Sequence, residues 1–156
     1  MKASIRNATH EDITDLIQIS AQLSEEDGKI HGEAINHTWA EEFGNDAFIR
    51  SIDSPTSNIL VAEVEGTLIG SLHGYIQGVP SWRSTPIAVI ITLYTDSRFR
   101  GQGIGANLIS AFESWAKENG ATRIAVSAFV SNVGAQRFYE RNGFGAFEVT
   151  LEKEIV

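Results

Sequence analysis

The chain has 156 residues, 42% apolar and 21% charged, the composition of one soluble globular domain over 1–156 with a sizeable core. It has no cysteine, which excludes disulfides, thiolate metal sites and a covalent cysteine acyl-enzyme. A net charge of −8, from 12 basic and 20 acidic residues, makes nucleic acid a poor partner. Met1–Arg6 lacks a signal-peptide core and no apolar run approaches the ~18–20 residues of a membrane span, so the expectation is a cytoplasmic protein with no membrane partner.

In chain order, Ala3 to Asn7 reads as a short strand. Thr9 is a helix N-cap with Glu11 and Asp12 in the first turn, and Ile13, Leu16, Ile17, Ile19 and Leu23 form an apolar stripe ending near Leu23. Ser24 to Asn45 has no sustained period; a short helix is expected around Glu33 to Phe43, then another from Asp46 to Ile52, stopped by Ser54-Pro55. Ile59 to Val64 is a strand, Glu65-Gly66 a hairpin turn, and Thr67 to Gly78 the returning strand, where Gly70, Gly74 and Gly78 mark bends or close backbone approach. Pro80 to Pro86 is a loop. Ile87 to Thr95 is a buried strand, and helix 103–119 follows, with Asn119-Gly120 as its C-cap. Arg123 to Phe129 is a strand, Val133 to Arg141 a helix ended by Asn142-Gly143, and Phe144 to Ile155 supplies one or two closing strands. Strands and helices in this mixed order give an α+β class.

The informative stretch is Leu93-Tyr94-Thr95-Asp96-Ser97-Arg98-Phe99-Arg100-Gly101-Gln102-Gly103-Ile104-Gly105. It joins a strand to a helix through three glycines at alternate positions. The first turn of a helix carries N–H groups with no intrahelical partner at the positive end of the dipole. Without Cβ atoms in the way, a phosphate or pyrophosphate can approach them. The plainer reading is a strand–turn–helix joint whose glycines only permit close packing. A Walker A loop is excluded, because Ile104-Gly105-Ala106 stands where its lysine would be. A Rossmann fingerprint is excluded by the loop's late position and by the absence of an acid closing the next strand.

The stretch resembles the signature of the GCN5-related N-acetyltransferases, the GNAT family, Arg/Gln-x-x-Gly-x-Gly/Ala. Arg100, Gly103 and Gly105 match it, and Asn132, Ala135, Phe138-Tyr139 and Asn142-Gly143-Phe144 resemble the family's next segment. The resemblance covers roughly residues 2–153. It implies a mixed, mostly antiparallel sheet flanked by helices, in which the Ile87 and Arg123 strands run parallel and splay apart. It implies acetyl-CoA as acyl donor, with no metal. The pyrophosphate would rest on the N–H groups of Arg100, Gly101, Gln102, Gly103, Ile104, Gly105 and Ala106. The pantetheine arm would pair with Leu93, Tyr94 and Thr95, and Asn132 would reach it from the other side; Asn132 is also well placed as a plain helix N-cap, and the two roles are compatible. Tyr139 occupies the position of the family's general acid for the departing sulfur; otherwise it is a core aromatic.

The base is not evident. Many family members carry a glutamate where this chain has Ile91 and Thr92, or where it has Ser127. His73 is a weak candidate, as are Glu63, Tyr75 and Tyr94; a water relay, or an acceptor that arrives already neutral, is preferred. His31 and His37 suggest no metal site. Charge is uneven: residues 24–46 carry −6 and residues 98–141 carry +3. The acidic segment either attracts a cation or is solvated surface. The leading reading is an N-acetyltransferase acting on a small primary amine. A protein N-terminal or lysine acetyltransferase and a non-catalytic acyl-CoA-binding module are the alternatives. A homodimer is possible, with Trp39, Phe43, Trp82 and Phe147 as apolar contacts.

Overall fold

The structure is a computed structural model that describes residues 2–31, 36–80 and 82–156. Five strands lie in chain order in one sheet: β1 (Ser4–Asn7), β2 (Ser57–Val64), β3 (Thr67–Gln77), β4 (Ile87–Thr95) and β5 (Arg123–Val126). The first three pairings are antiparallel and β4–β5 is parallel. Four helices flank it: α1 (Ile13–His31), α2 (Trp39–Asp53), α3 (Ile104–Glu118) and α4 (Val133–Arg141). Among the described residues no helix is long and apolar enough to cross a membrane.

The near-continuous apolar run of β2 reflects a sheet covered on both faces. Ile59 and Val61 point to Leu16 of α1 and Phe48 of α2, while Leu60 and Ala62 join the cluster holding Leu108, Phe112 and Ala116 of α3. The β2–β3 turn has φ of 49° at Glu65 and 81° at Gly66, the paired positive values a two-residue hairpin favours. Of the β3 glycines, Gly70 and Gly74 mark close approach. A Cβ on Gly74 would collide with the Phe112 ring and stand 2.7 Å from the Val89 carbonyl, and one on Gly70 would stand 2.8 Å from the Tyr94 carbonyl.

The helical layer differs from the sequence expectation. The first helix runs on past Leu23 to His31, carrying Gly28 inside it, where a Cβ would strike the His37 ring. The two helices expected around 33–43 and 46–52 are one, α2, uninterrupted at Gly44; Glu33 itself lies outside the described residues. Gly44 is buried, and a Cβ there would stand 3.2 Å from Ile17 of α1, so this glycine serves helix–helix contact rather than a break.

Two corrections concern the C-terminal third. β5 stops at Val126 instead of reaching Phe129. The closing strands expected in Phe144 to Ile155 do not form: no residue after Arg141 belongs to a helix or strand. A strand needs a neighbour for its backbone groups, and this segment has none in the sheet.

Candidate active site

The site begins where two strands part. The β4–β5 register runs from Ile87↔Arg123 to Ile90↔Val126 and ends there. On the other side of β4, His73 pairs with Thr92 and Gly74 with Ile90, so Ile91 is an extra residue. A bulge of this kind bends its strand. Beyond it, β4 continues to Thr95 beside β3 alone, and Leu93, Tyr94 and Thr95 lie on this stretch. Sequence reading named those residues, but the bulge that opens the groove has no signature in them.

The loop after β4 is built by Asp96. Its carboxylate accepts the Arg98 N–H at 2.9 Å and the Arg98 guanidinium at 2.7 Å, closing a 3-10 turn at Ser97–Phe99. The Arg98 contacts hold the Asp96 carboxyl down to about 2. Gly101 and Gly103 have φ of 78° and 81°, and α3 starts at Ile104 with Gly103 as its cap residue. Successive peptides turned this way aim N–H groups at one concavity, next to the free first-turn N–H groups of Ile104, Gly105 and Ala106. The Ile104 side chain is buried in the core, so only its backbone faces this end. Gln102 is exposed.

Arg100 turns away from the loop it precedes. Its Nε donates to the Thr95 carbonyl at 2.8 Å and its Nη2 to Glu26 Oε2 at 2.8 Å, with the guanidinium carbon 5.8 Å from the Tyr94 ring centroid. Tyr94 is itself tied to α1, its hydroxyl donating to Gln22 Oε1 at 3.0 Å. The C-terminal half of α1 is thus fastened to the strand–loop junction at two points. That fastening was invisible in the sequence, because 72 and 74 residues separate the partners.

On the far side, Asn132 caps α4, its Oδ1 accepting the Ala135 N–H at 3.0 Å. The cap reading of Asn132 holds, and the cap uses only the oxygen of its carboxamide. Seven residues later Tyr139 packs between Phe138 and Phe144, ring centroids 5.3 and 5.5 Å away. Burial, and then the charge of Asp27 on α1, push its phenol up to about 12. Phe138 explains the third glycine of the loop. A Cβ on Gly105 would stand 2.9 Å from the Phe138 ring, so Gly105 lets α4 seat on the first turn of α3. This contact fixes α4, and with it Tyr139, relative to the Gly101–Gly103 loop.

Of the weak base candidates, Tyr94 lies on the β4 stretch already described, and His73 and Glu63 are placed elsewhere. His73 Nε2 lies 2.9 Å from Ser51 Oγ beneath α2, beside the Phe48 ring, and burial pulls its pKa down to about 4. Glu63 pairs with Arg6 at 2.7 Å on the β1 side of the sheet. Among the described residues no group of three or more His, Asp or Glu side chains is set to hold a metal ion.

Residues 21–144 match the model of the acetyltransferase (GNAT) family. The chain belongs to the GNAT family. This GNAT chain is 28% identical over 146 residues to the uncharacterised N-acetyltransferase MJ1207 of Methanocaldococcus jannaschii, covering 94% of the chain and 62% of that protein. It is 33% identical over 76 residues to the aminoglycoside N(6′)-acetyltransferase type 1 of Serratia marcescens, covering 49% of the chain and 50% of that protein. It therefore spans less than two thirds of the length of either relative. Among solved structures, a mutant of the BH1408 protein of Bacillus halodurans superposes with a TM-score of 0.87 at 22% identity, covering 98% of this chain and 99% of that one. That likeness shows that the two chains share one fold.

Proposed function

We propose that the protein transfers the acetyl group of acetyl-CoA to a primary amine, a small cationic one, by direct attack in a ternary complex. The observation that carries the reading is the run of β4 from Ile91 to Thr95, which has no partner strand on its β5 side and leads into the Gly101–Gly103 loop, with Phe138 of α4 seated against Gly105 just beyond. The residues fit the donor. The loop N–H groups and the first turn of α3 would hold its pyrophosphate. The backbone of Leu93 to Thr95 would pair with the pantetheine amides as an added strand does. The carboxamide nitrogen of Asn132 would reach the arm from the α4 side.

When bound, acetyl-CoA supplies an acetyl group already activated as a thioester. The chain's own residues then have three tasks: to hold the reacting atoms, to polarise the carbonyl oxygen and to protonate the leaving sulfur. Backbone N–H groups of the bulged part of β4 serve the second. Tyr139 serves the third: burial raises its pKa to about 12, so the phenol keeps its proton at neutral pH and can present it as a hydrogen bond to the negative charge growing on the departing sulfur. The neutral amine nitrogen forms the new C–N bond, the C–S bond breaks, the sulfur takes the Tyr139 proton, water takes the amine's, and the Tyr139 oxygen regains its proton from that water. His73, bonded to Ser51 and low in basicity, has no part.

Burial first, and then the charge of Asp27, raises the Tyr139 phenol. The aminoglycoside relative supports a small cationic acceptor. Free-thiol release with polyamines, aminoglycosides, amino-acid amides and a peptide N-terminus tests this. The expected result is release that requires an amine and is fastest with polycations. Release with the peptide alone would point to protein acetylation, and binding without release from any amine to a non-catalytic acyl-CoA module.

A further inference from the structure

The β4 bulge is required by the spacing of the core. Ile90 and Leu93 both pack into the cluster beneath α3, yet they stand three residues apart, and strict alternation would send them to opposite faces of the sheet. Their β3 partners, Gly74 and Leu72, are two apart, so β4 has one residue too many between them. Core packing leaves open whether Ile91 or Thr92 is the extra one. In the structure Thr92 is paired and Ile91 is left out, 52% exposed. Burial alone favours the reverse choice, since the isoleucine has the larger apolar surface to hide.

His73 has no part in the chemistry, but it is the residue opposite Thr92. Its Nε2 lies 2.9 Å from Ser51 Oγ of α2, with the Phe48 ring centroid 6.1 Å away. Among the described residues this is the one side-chain hydrogen bond joining α2 to the sheet. The next residue, Gly74, closes the opposite face, where a Cβ would collide with the Phe112 ring of α3. The β3 side of the bulge is therefore held between α2 and α3. We propose that His73 is a positioning residue: its hydrogen bond to Ser51 pins Thr92 as the paired residue and Ile91 as the extra one, and so aims the N–H groups of the bulge at the acetyl carbonyl. The aiming rests on the acetyl-transfer reading above; the pinning does not. Misplacement of a polarising group by about 1 Å can cost about a hundredfold in rate.

Cross-strand spectra and kinetics test the two parts separately. His73→Leu keeps an apolar bulk and loses the hydrogen bond, Ser51→Ala removes the other partner, and His73→Gln brings a carboxamide able to bond Ser51 in place of Nε2. In the free protein, nuclear Overhauser contacts from residue 73 are expected to reach Thr92 in parent and His73→Gln. In His73→Leu and Ser51→Ala a contact from residue 73 to Ile91 is expected to appear, alone or beside the first. With a good acceptor, kcat is expected to fall about ten- to a hundredfold in those two variants and to stay within about threefold of parent in His73→Gln. Coenzyme A affinity by calorimetry is expected to change less than about threefold in all, because the pyrophosphate loop is untouched. The double variant His73→Leu/Ser51→Ala is expected to lose no more than either single one, since both remove the same bond. An unchanged contact to Thr92 in both His73→Leu and Ser51→Ala, or a His73→Gln protein as slow as His73→Leu, would overturn the proposal. Ser51→Ala decides the matter if His73→Leu fails to fold. A parent protein that acetylates no amine would overturn the transfer reading instead, and the cross-strand contacts would still decide the pinning.

Discussion

Gly103 and Gly105 stand two residues apart and have different physical reasons to be glycine. Gly103 sits at φ 81°, where a side chain costs about 1–2 kcal/mol, and a Cβ there would meet no described atom within 4 Å. Gly105 is helical, and its missing Cβ makes room for Phe138. The glycine pattern was legible, but the notion that both glycines clear the way for an anion was not right for Gly105, because the helix that occupies its space begins 28 residues later. Gly103→Val should weaken acetyl-CoA binding at least tenfold by calorimetry, blocking the concavity. Gly105→Ala should instead lose about 1–3 kcal/mol in urea unfolding, as an overpacked contact does, and Phe138→Leu in the same chain should restore most of it. For Tyr139, replacement by Phe keeps the ring between Phe138 and Phe144 and removes only the proton. Its kcat should fall roughly ten- to a thousandfold with little change in coenzyme affinity. Burial raises this phenol above its unfolded value of about 10, so the proton stays on through neutral pH. Any alkaline fall in kcat caused by Tyr139 must lie above pH ~10 and approach the folded value. An alkaline limb at pH 8 that persists in Tyr139→Phe belongs to another group.

At the scale of elements, α1 joins the two halves of the groove. The apolar stripe ending at Leu23 described its buried half. The half beyond Leu23 is tied to the strand–loop junction by the Glu26–Arg100 ion pair, and such a pair leaves no period to read. The acidic segment thereby divides into separate roles. Glu26 pairs with Arg100 beside the Gly101–Gly103 loop, Glu25 pairs along the helix with Lys29 at 3.7 Å, and the charge of Asp27 raises the Tyr139 phenol. Changing all three together would mix these effects. Separately, Glu26→Gln should lower the KM for acetyl-CoA about two- to tenfold, because Arg100 is released to a phosphate. Asp27→Asn should raise the KM of a cationic amine with little change for acetyl-CoA, and added salt should shrink the difference. Steady-state kinetics at two salt concentrations read both. Equal amine KM values in Asp27→Asn and parent would return Asp27 to solvated surface.

For the molecule as a whole, the sheet was legible and its ending was not. β2, β3 and β4 fall close to where the alternation and the Glu65-Gly66 turn place them, because local pattern and tertiary burial ask for the same residues. The residues after Phe144 have the same alternation, but a strand is a relation between two segments, and its pattern does not name the partner. The opening of β4 from β5 came from family resemblance, not from periodicity; in the structure it is the end of the register at Ile90↔Val126 and the extra residue Ile91. The central claim is that this opening holds the acyl donor, with its pyrophosphate on the start of α3. Titration of nitrogen-15-labelled protein with coenzyme A reads it amide by amide. The amides of Gln102 to Ala106 and of Leu93 to Thr95 should shift together, saturating at one concentration, with Asn132 following. Shifts confined to other surfaces, or none at saturating coenzyme, would contradict it.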